Sequence, residues 1–124
     1  MLPSVGIDVT DIGRFTGLTR EKDGAFLQKI FTPSELEYCF KGGDPAPHLA
    51  VRFAAKEAII KALSCVGILH GGPGTIEIVR DSTGVPSALL QMPGKKSLTI
   101  QISLSHAQEI AVAVAVVSET SSSV

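Results

Sequence analysis

The chain has 124 residues, of which 44% are hydrophobic, 19% charged and 5% aromatic, with no Trp and a formal net charge of -1. This is the balance of one ordinary globular domain; it argues against a general nucleic-acid binder, which needs clustered cations and aromatic stacking platforms. A domain this small buries only about two-thirds of the surface its unfolded chain exposes, so a deep pocket is hard to build in one subunit and self-association is expected.

In chain order, Val5-Gly6-Ile7-Asp8-Val9 reads as a short strand carrying one carboxylate among apolar neighbours. No charged start followed by an apolar run precedes it, so no secretory signal is visible and a cytoplasmic location is expected. Thr10 or Asp11 is placed to cap a helix through Gly13-Arg14-Phe15, which Gly13 and Gly17 keep short. Ala25–Phe31 and Pro33–Phe40 predict two short helices, the second opened by the capping box Thr32-Pro33-Ser34-Glu35. Turn formers at Lys41–Pro47 end it.

The strongest helix runs from about Pro47 to Ser64, with Leu49, Phe53, Ile60 and Leu63 near helical spacing and Gly67 just beyond. After a Gly-rich loop, Val66–Gly74, the pattern turns to strands: Thr75–Val79, a turn at Asp81–Gly84, Ser87–Gln91, Leu98–Ser105 and Glu109–Val117, an antiparallel meander. The fold class expected is α+β, a long core helix packed on a mainly antiparallel sheet. Residues 1–118 form the domain and the Ser-rich residues 119–124 a flexible tail. The longest apolar run, Ile110–Val117, is far short of the roughly 20 residues of a membrane helix and reads as a strand. It is apolar on both faces; the second face is covered either by a partner subunit or within its own chain. Cys39 and Cys65 are far apart and form no C-x-x-C pair, so both are read as reduced, small apolar residues.

On the long helix Phe53, Glu57 and Lys61 follow one another at i, i+4, i+8, with Arg52 and Lys56 on an adjacent ridge. Taken alone, such a Glu–Lys pair is common on solvated helices. Asp8 changes the reading, because an unpaired carboxylate in an apolar strand is costly and a cation beside it would relieve that cost. Two carboxylates, Asp8 and Glu57, are enough for Mg²⁺, which keeps several waters and takes further oxygens from substrate phosphates, and Lys61 would reach those phosphates. The chemistry implied is transfer of a phosphate-linked group, to an acceptor or to water.

These residues also carry a resemblance. The segment from Val5 to Arg14, with Gly-x-Asp and an Arg six residues after the Asp, resembles the first signature of the 4'-phosphopantetheinyl transferases. Arg52-Phe53-Ala54-Ala55-Lys56-Glu57-Ala58-Ile59-Ile60-Lys61 resembles the second, and Phe31–Glu35 and Ser103–His106 resemble segments of the short, single-repeat branch, the holo-acyl-carrier-protein synthase type. The resemblance implies transfer of 4'-phosphopantetheine from coenzyme A to a serine of apo-acyl carrier protein, in fatty acid biosynthesis, by a homotrimer with active sites between subunits. It makes Asp8 and Glu57 the Mg²⁺ ligands and Glu57 and Lys61 the catalytic pair, with the serine proton taken by Glu57 or by metal-held water. It makes Arg52, Lys61, Gly84, Pro86 and His106 coenzyme A contacts, with His106 approaching from the next subunit or else serving only its own turn. Val85 stands where many members carry Lys. Arg14 and Arg20 would grip the acidic carrier protein, with Lys22 and Lys29 extending the patch, although Glu21 and Asp23 interrupt it. The competing readings are a metal-dependent phosphohydrolase and a catalytically silent coenzyme A-binding module.

Overall fold

The computed structural model describes residues 2–91 and 97–120. Strand β1 (Ser4–Asp11) leads through a short 3-10 helix (Ile12–Phe15) into α1 (Arg20–Ile30), α2 (Pro33–Cys39) and α3 (Ala46–Cys65). Strands β2 (Ile76–Arg80), β3 (Pro86–Leu90), β4 (Leu98–His106) and β5 (Ile110–Glu119) follow. The α+β class holds, and the strands divide: β1-β5-β4 form one antiparallel sheet, and β2-β3 a separate hairpin. The expected meander is therefore two sheets, with β1 paired to the last strand and not left at the start of a series.

The second capping box forms as read: Thr32 N–H donates to Glu35 Oε1 at 2.9 Å and Glu35 N–H to Thr32 Oγ1 at 3.3 Å. Helix α1 begins five residues before the predicted Ala25. Thr19 caps it, accepting from Lys22 N–H at 3.1 Å while its own N–H donates to Asp23 Oδ2 at 2.9 Å. The helix kinks at Asp23 (φ -111°) and continues. The helix expected after Thr10 is the single 3-10 turn Ile12–Phe15, whose N-cap Asp11 makes no side-chain capping bond.

Helix α3 lies across the three-stranded sheet. Its Ala54, Ala55, Ala58 and Ala62 and the strand's Ala111, Ala113 and Ala115 are fully buried, small residues that bring helix and sheet close together. Phe15, Phe31 and Phe53 fill the wider end, with ring centroids 6.0 and 5.6 Å from Phe15. The other face of the sheet has no cover among the described residues: Val5, Ile7 and Val9 are 60%, 55% and 61% exposed. They lie opposite the partly buried Val116, Val114 and Val112 of β5. Strand β5 runs to Glu119, and Thr120 N–H donates to the Ser97 carbonyl at 2.6 Å, so sheet pairing passes the expected boundary at 118; residues 121–124 of the expected tail lie outside the described residues.

Candidate active site

Two clusters flank α3. On the first flank β1 runs antiparallel to the helix, with Ser4 Oγ donating to the Ala62 carbonyl at 2.6 Å. Gly6 comes so near that a Cβ there would lie 1.9 Å from the Ala58 carbonyl oxygen. Only a residue without a side chain permits that approach. Two residues on, Asp8 meets Lys61 of α3, one turn after Glu57. Lys61 Nζ donates to Asp8 Oδ1 at 3.2 Å and to the Ile7 carbonyl at 2.9 Å, and Thr10 Oγ1 donates to Asp8 Oδ2 at 2.7 Å. Asp8 is thus already paired, by Lys61 and by a hydroxyl that period-two alternation places on the same strand face. Glu57, one turn before Lys61, is partly buried and has no hydrogen-bond or ion-pair partner among the described residues.

This donor set fits a hard divalent cation. Glu57 is a part-buried carboxylate with no protein partner among the described residues, and the Lys61 ammonium already occupies the position of a counter-charge on Asp8. No group of three or more His, Cys, Asp or Glu is gathered among the described residues. A cation here would have two carboxylates and would complete its shell from water and phosphate oxygens, which is the habit of Mg²⁺ and not of a four-coordinate structural zinc.

The second flank is built around Arg52, five positions before Glu57 and so about 140° round the helix. Arg52 is buried, donates from Nη1 to the His48 carbonyl at 3.2 Å and stacks its guanidinium 4.3 Å from the Tyr38 ring centroid; its Nε is buried with no partner among the described residues. Arg52, Gly84 and His106 line one cleft of about 300 Å³ together with His48, Arg80 and Tyr38. Gly84 adopts φ +88° at the hairpin turn, which Asp81 Oδ1 organises by accepting from the Thr83 N–H, the Thr83 hydroxyl and the Val85 N–H. The Thr83 hydroxyl, then these amides, holds the Asp81 carboxyl below its usual range. Pro86 opens β3 opposite Arg80 and does not line the cleft, and Val85 is exposed.

His106, at the end of β4, shares this cleft with Arg52 within one chain. The groups that stand apart in one chain are the Asp8–Glu57–Lys61 cluster and the Arg52–His106 cleft. Arg80 and His48 were not singled out from the sequence. His48 was legible as the i-4 neighbour of Arg52, whereas Arg80 reaches the cleft only through the hairpin pairing.

The hairpin is fastened to α3 by Lys56, the other lysine of the second signature. Its ammonium is fully buried, 2.7 Å from Glu35 Oε1, and donates to the carbonyls of Pro73 at 3.0 Å and of Ile76. Glu35 Oε2 in turn accepts from Ile78 N–H at 2.8 Å. Burial pushes the Lys56 ammonium below its ordinary range against the pull of Glu35. Beside them burial raises the Cys39 thiol to about 11, which leaves it unreactive.

The proposed carrier contacts are on the remaining surface. Arg14 sits over the Phe53 ring, 4.7 Å from its centroid, in a hollow also lined by Asp11, Asp44 and Glu109. Arg20 begins α1 and lines a second hollow with Thr19, Phe40 and Pro45. The two arginines lie on either side of the Asp44–Pro45 turn and do not share one cavity.

Residues 4–115 match the model of the 4'-phosphopantetheinyl transferase superfamily, and the chain belongs to this family. It is similar to the holo-[acyl-carrier-protein] synthase of Geotalea daltonii, at 42% identity over 94% of this chain and 98% of that one. It is also similar to the holo-[acyl-carrier-protein] synthase of Chlamydia trachomatis serovar D, at 44% identity over 90% and 96%. Among solved structures, a holo-(acyl-carrier-protein) synthase from Bacillus anthracis in complex with CoA (3',5'-ADP) superposes with a TM-score of 0.74 at 29% identity, covering 95% of this chain and 96% of that one.

Proposed function

We propose that this protein transfers 4'-phosphopantetheine from coenzyme A to a serine of an apo-acyl carrier protein, releasing adenosine 3',5'-bisphosphate and feeding fatty acid biosynthesis. The observation that carries the reading is the Asp8–Lys61 contact beside an unpartnered Glu57, in a chain whose relatives are holo-[acyl-carrier-protein] synthases. The bond that forms joins the serine oxygen to the pantetheine phosphorus; the bond that breaks is the pyrophosphate bridge. Glu57 takes the serine proton, and Lys61 leaves Asp8 to donate to the phosphate that departs, stabilising charge that grows in the transition state. Asp8 and Glu57 would hold Mg²⁺, which when bound supplies neutralisation of the phosphate oxygens.

In this reading Arg52 and His106 hold the nucleotide phosphate, and Gly84 and Pro86 border the adenine. Arg14 and Arg20 meet the acidic carrier. The transferase domain, expected over residues 1–118, runs to the end of β5 at Glu119, and it works as a homotrimer. Two observations support the assembly: the strand that carries Asp8 turns an exposed apolar face, Val5, Ile7 and Val9, away from α3, and the two halves of the site lie on different flanks of α3. A neighbouring copy packed on β1 would bring its own Arg52 cleft toward this Asp8. Two free thiols fit a reducing, cytoplasmic compartment.

The test is chromatographic measurement of adenosine 3',5'-bisphosphate released from coenzyme A and Mg²⁺, with and without apo-carrier protein. Release that depends on the carrier supports the transferase. Equal release without it would make the protein a phosphohydrolase, and binding with no release a silent coenzyme A module. Sedimentation of the same sample reads the trimer.

A further inference from the structure

The cleft beside Arg52 has an unusual charge set for a chain of net charge -1. Two guanidiniums, Arg52 and Arg80, and two imidazoles, His48 and His106, line it, and among the described residues no carboxylate does. Arg80 is held toward it by donating to the Gly84 carbonyl at 2.8 Å, and behind the cleft the Arg52 Nε is buried with no partner among the described residues. His48 is exposed at the mouth of this cleft, and its ring stands edge-on to Tyr38 with centroids 5.8 Å apart. The imidazole is thus positioned by the same tyrosine on which the Arg52 guanidinium stacks.

We propose that His48 is a specificity residue of this cleft, binding a phosphate monoester dianion in its imidazolium form alongside Arg52, Arg80 and His106. The identity of that ligand as the nucleotide phosphate of coenzyme A rests on the function proposed above; the anion site itself rests on the lining. His48 is held below the ordinary imidazole range, first by the desolvation its neighbours impose and then by Arg52, Arg80 and His106. Asp44, from the turn before α3, opposes them. A dianion among these groups reverses the balance, so His48 takes up a proton as the ligand binds and affinity rises on acidification through the imidazole range. Arg52 and Arg80 stay charged throughout and supply the pH-independent part of the affinity.

The experiment is calorimetric titration of adenosine 3',5'-bisphosphate into the full-length protein and its His48→Gln and His48→Lys variants. Each is run at several pH values in two buffers of different ionisation enthalpy, which gives the protons taken up per ligand. The ligand's own phosphate titrates near pH 6, and the difference between proteins cancels it. Wild type is expected to bind about 10-fold more tightly than His48→Gln near pH 6, the worth of one charge-assisted hydrogen bond, and to converge with it above pH 8. His48→Gln takes up fewer protons per ligand, and His48→Lys restores the tight binding without the pH dependence of wild type. Identical pH profiles and proton uptake in wild type and His48→Gln overturn the role of His48 while leaving the coenzyme A reading standing. No binding by wild type at any pH overturns both.

Discussion

Helix α3 carries a lysine–carboxylate pair on each flank, and the two pairs differ in almost everything but composition. Lys56 and Glu35 are 2.7 Å apart with side chains 0% and 1% exposed, whereas Lys61 and Asp8 are 3.2 Å apart with side chains 57% and 14% exposed. In the buried pair the donors and acceptors are widely engaged: Lys56 serves two carbonyls besides Glu35, and Glu35 accepts the N–H groups of Thr32 and Ile78. Such a pair joins α2, α3 and the hairpin and has no capacity left for a substrate. The open pair can exchange partners: Lys61 can swing from Asp8 to a phosphate, and Asp8 then has an oxygen free for a cation. One signature with two lysines five positions apart thus divides into a structural half and a chemical half.

The comparison can be broken most severely at Lys56. Lys56→Ala leaves Glu35 buried and uncompensated, and chemical denaturation should show a loss of about 3–5 kcal/mol. On the other flank, Lys61→Ala and Glu57→Gln should each lower turnover by roughly 10² or more with the denaturation midpoint nearly unchanged, the separation that the two pairs require. A Lys61→Ala enzyme with normal turnover would return that pair to the solvated surface. Gly6→Ala sits between these cases, since its methyl meets helix backbone and not a movable side chain. It should cost about 1–3 kcal/mol in stability and, by moving β1 from α3, lower activity as well.

The smallest effect concerns His48 in the protein without ligand. Its pKa is lowered in the folded state, so between that folded value and the unfolded value near 6.5 the unfolded chain binds more protons. Stability therefore falls as pH drops through this window. Thermal melts from neutral to mildly acidic pH should fall less steeply for His48→Gln than for wild type, and parallel curves would contradict the shift.

Much of this was legible before any coordinates. Asp8, Glu57 and Lys61 emerge from a carboxylate in an apolar strand and an i, i+4 helical pair, because charge in a context that punishes it needs a reason. The Thr32–Glu35 box and α3 follow from local chemistry in the same way. Glu35 read as a helix cap shows the limit: its second task, holding Lys56 and Ile78, joins residues 21 and 43 positions away and has no local pattern. Arg80 escaped for the same reason, since pairing across the Asp81–Gly84 turn, and not spacing, brings it to Arg52. The start of α1 was missed because Thr19 and Asp23 form a capping pair one residue longer than the usual box.

The most direct test of the account is mass spectrometry of an apo-acyl carrier protein incubated with coenzyme A, Mg²⁺ and either the wild-type protein or Lys61→Ala. The account requires one phosphopantetheine added to a carrier serine by wild type, and little or none in the same time by Lys61→Ala. A carrier left unmodified by wild type, or modified equally by both, would contradict it.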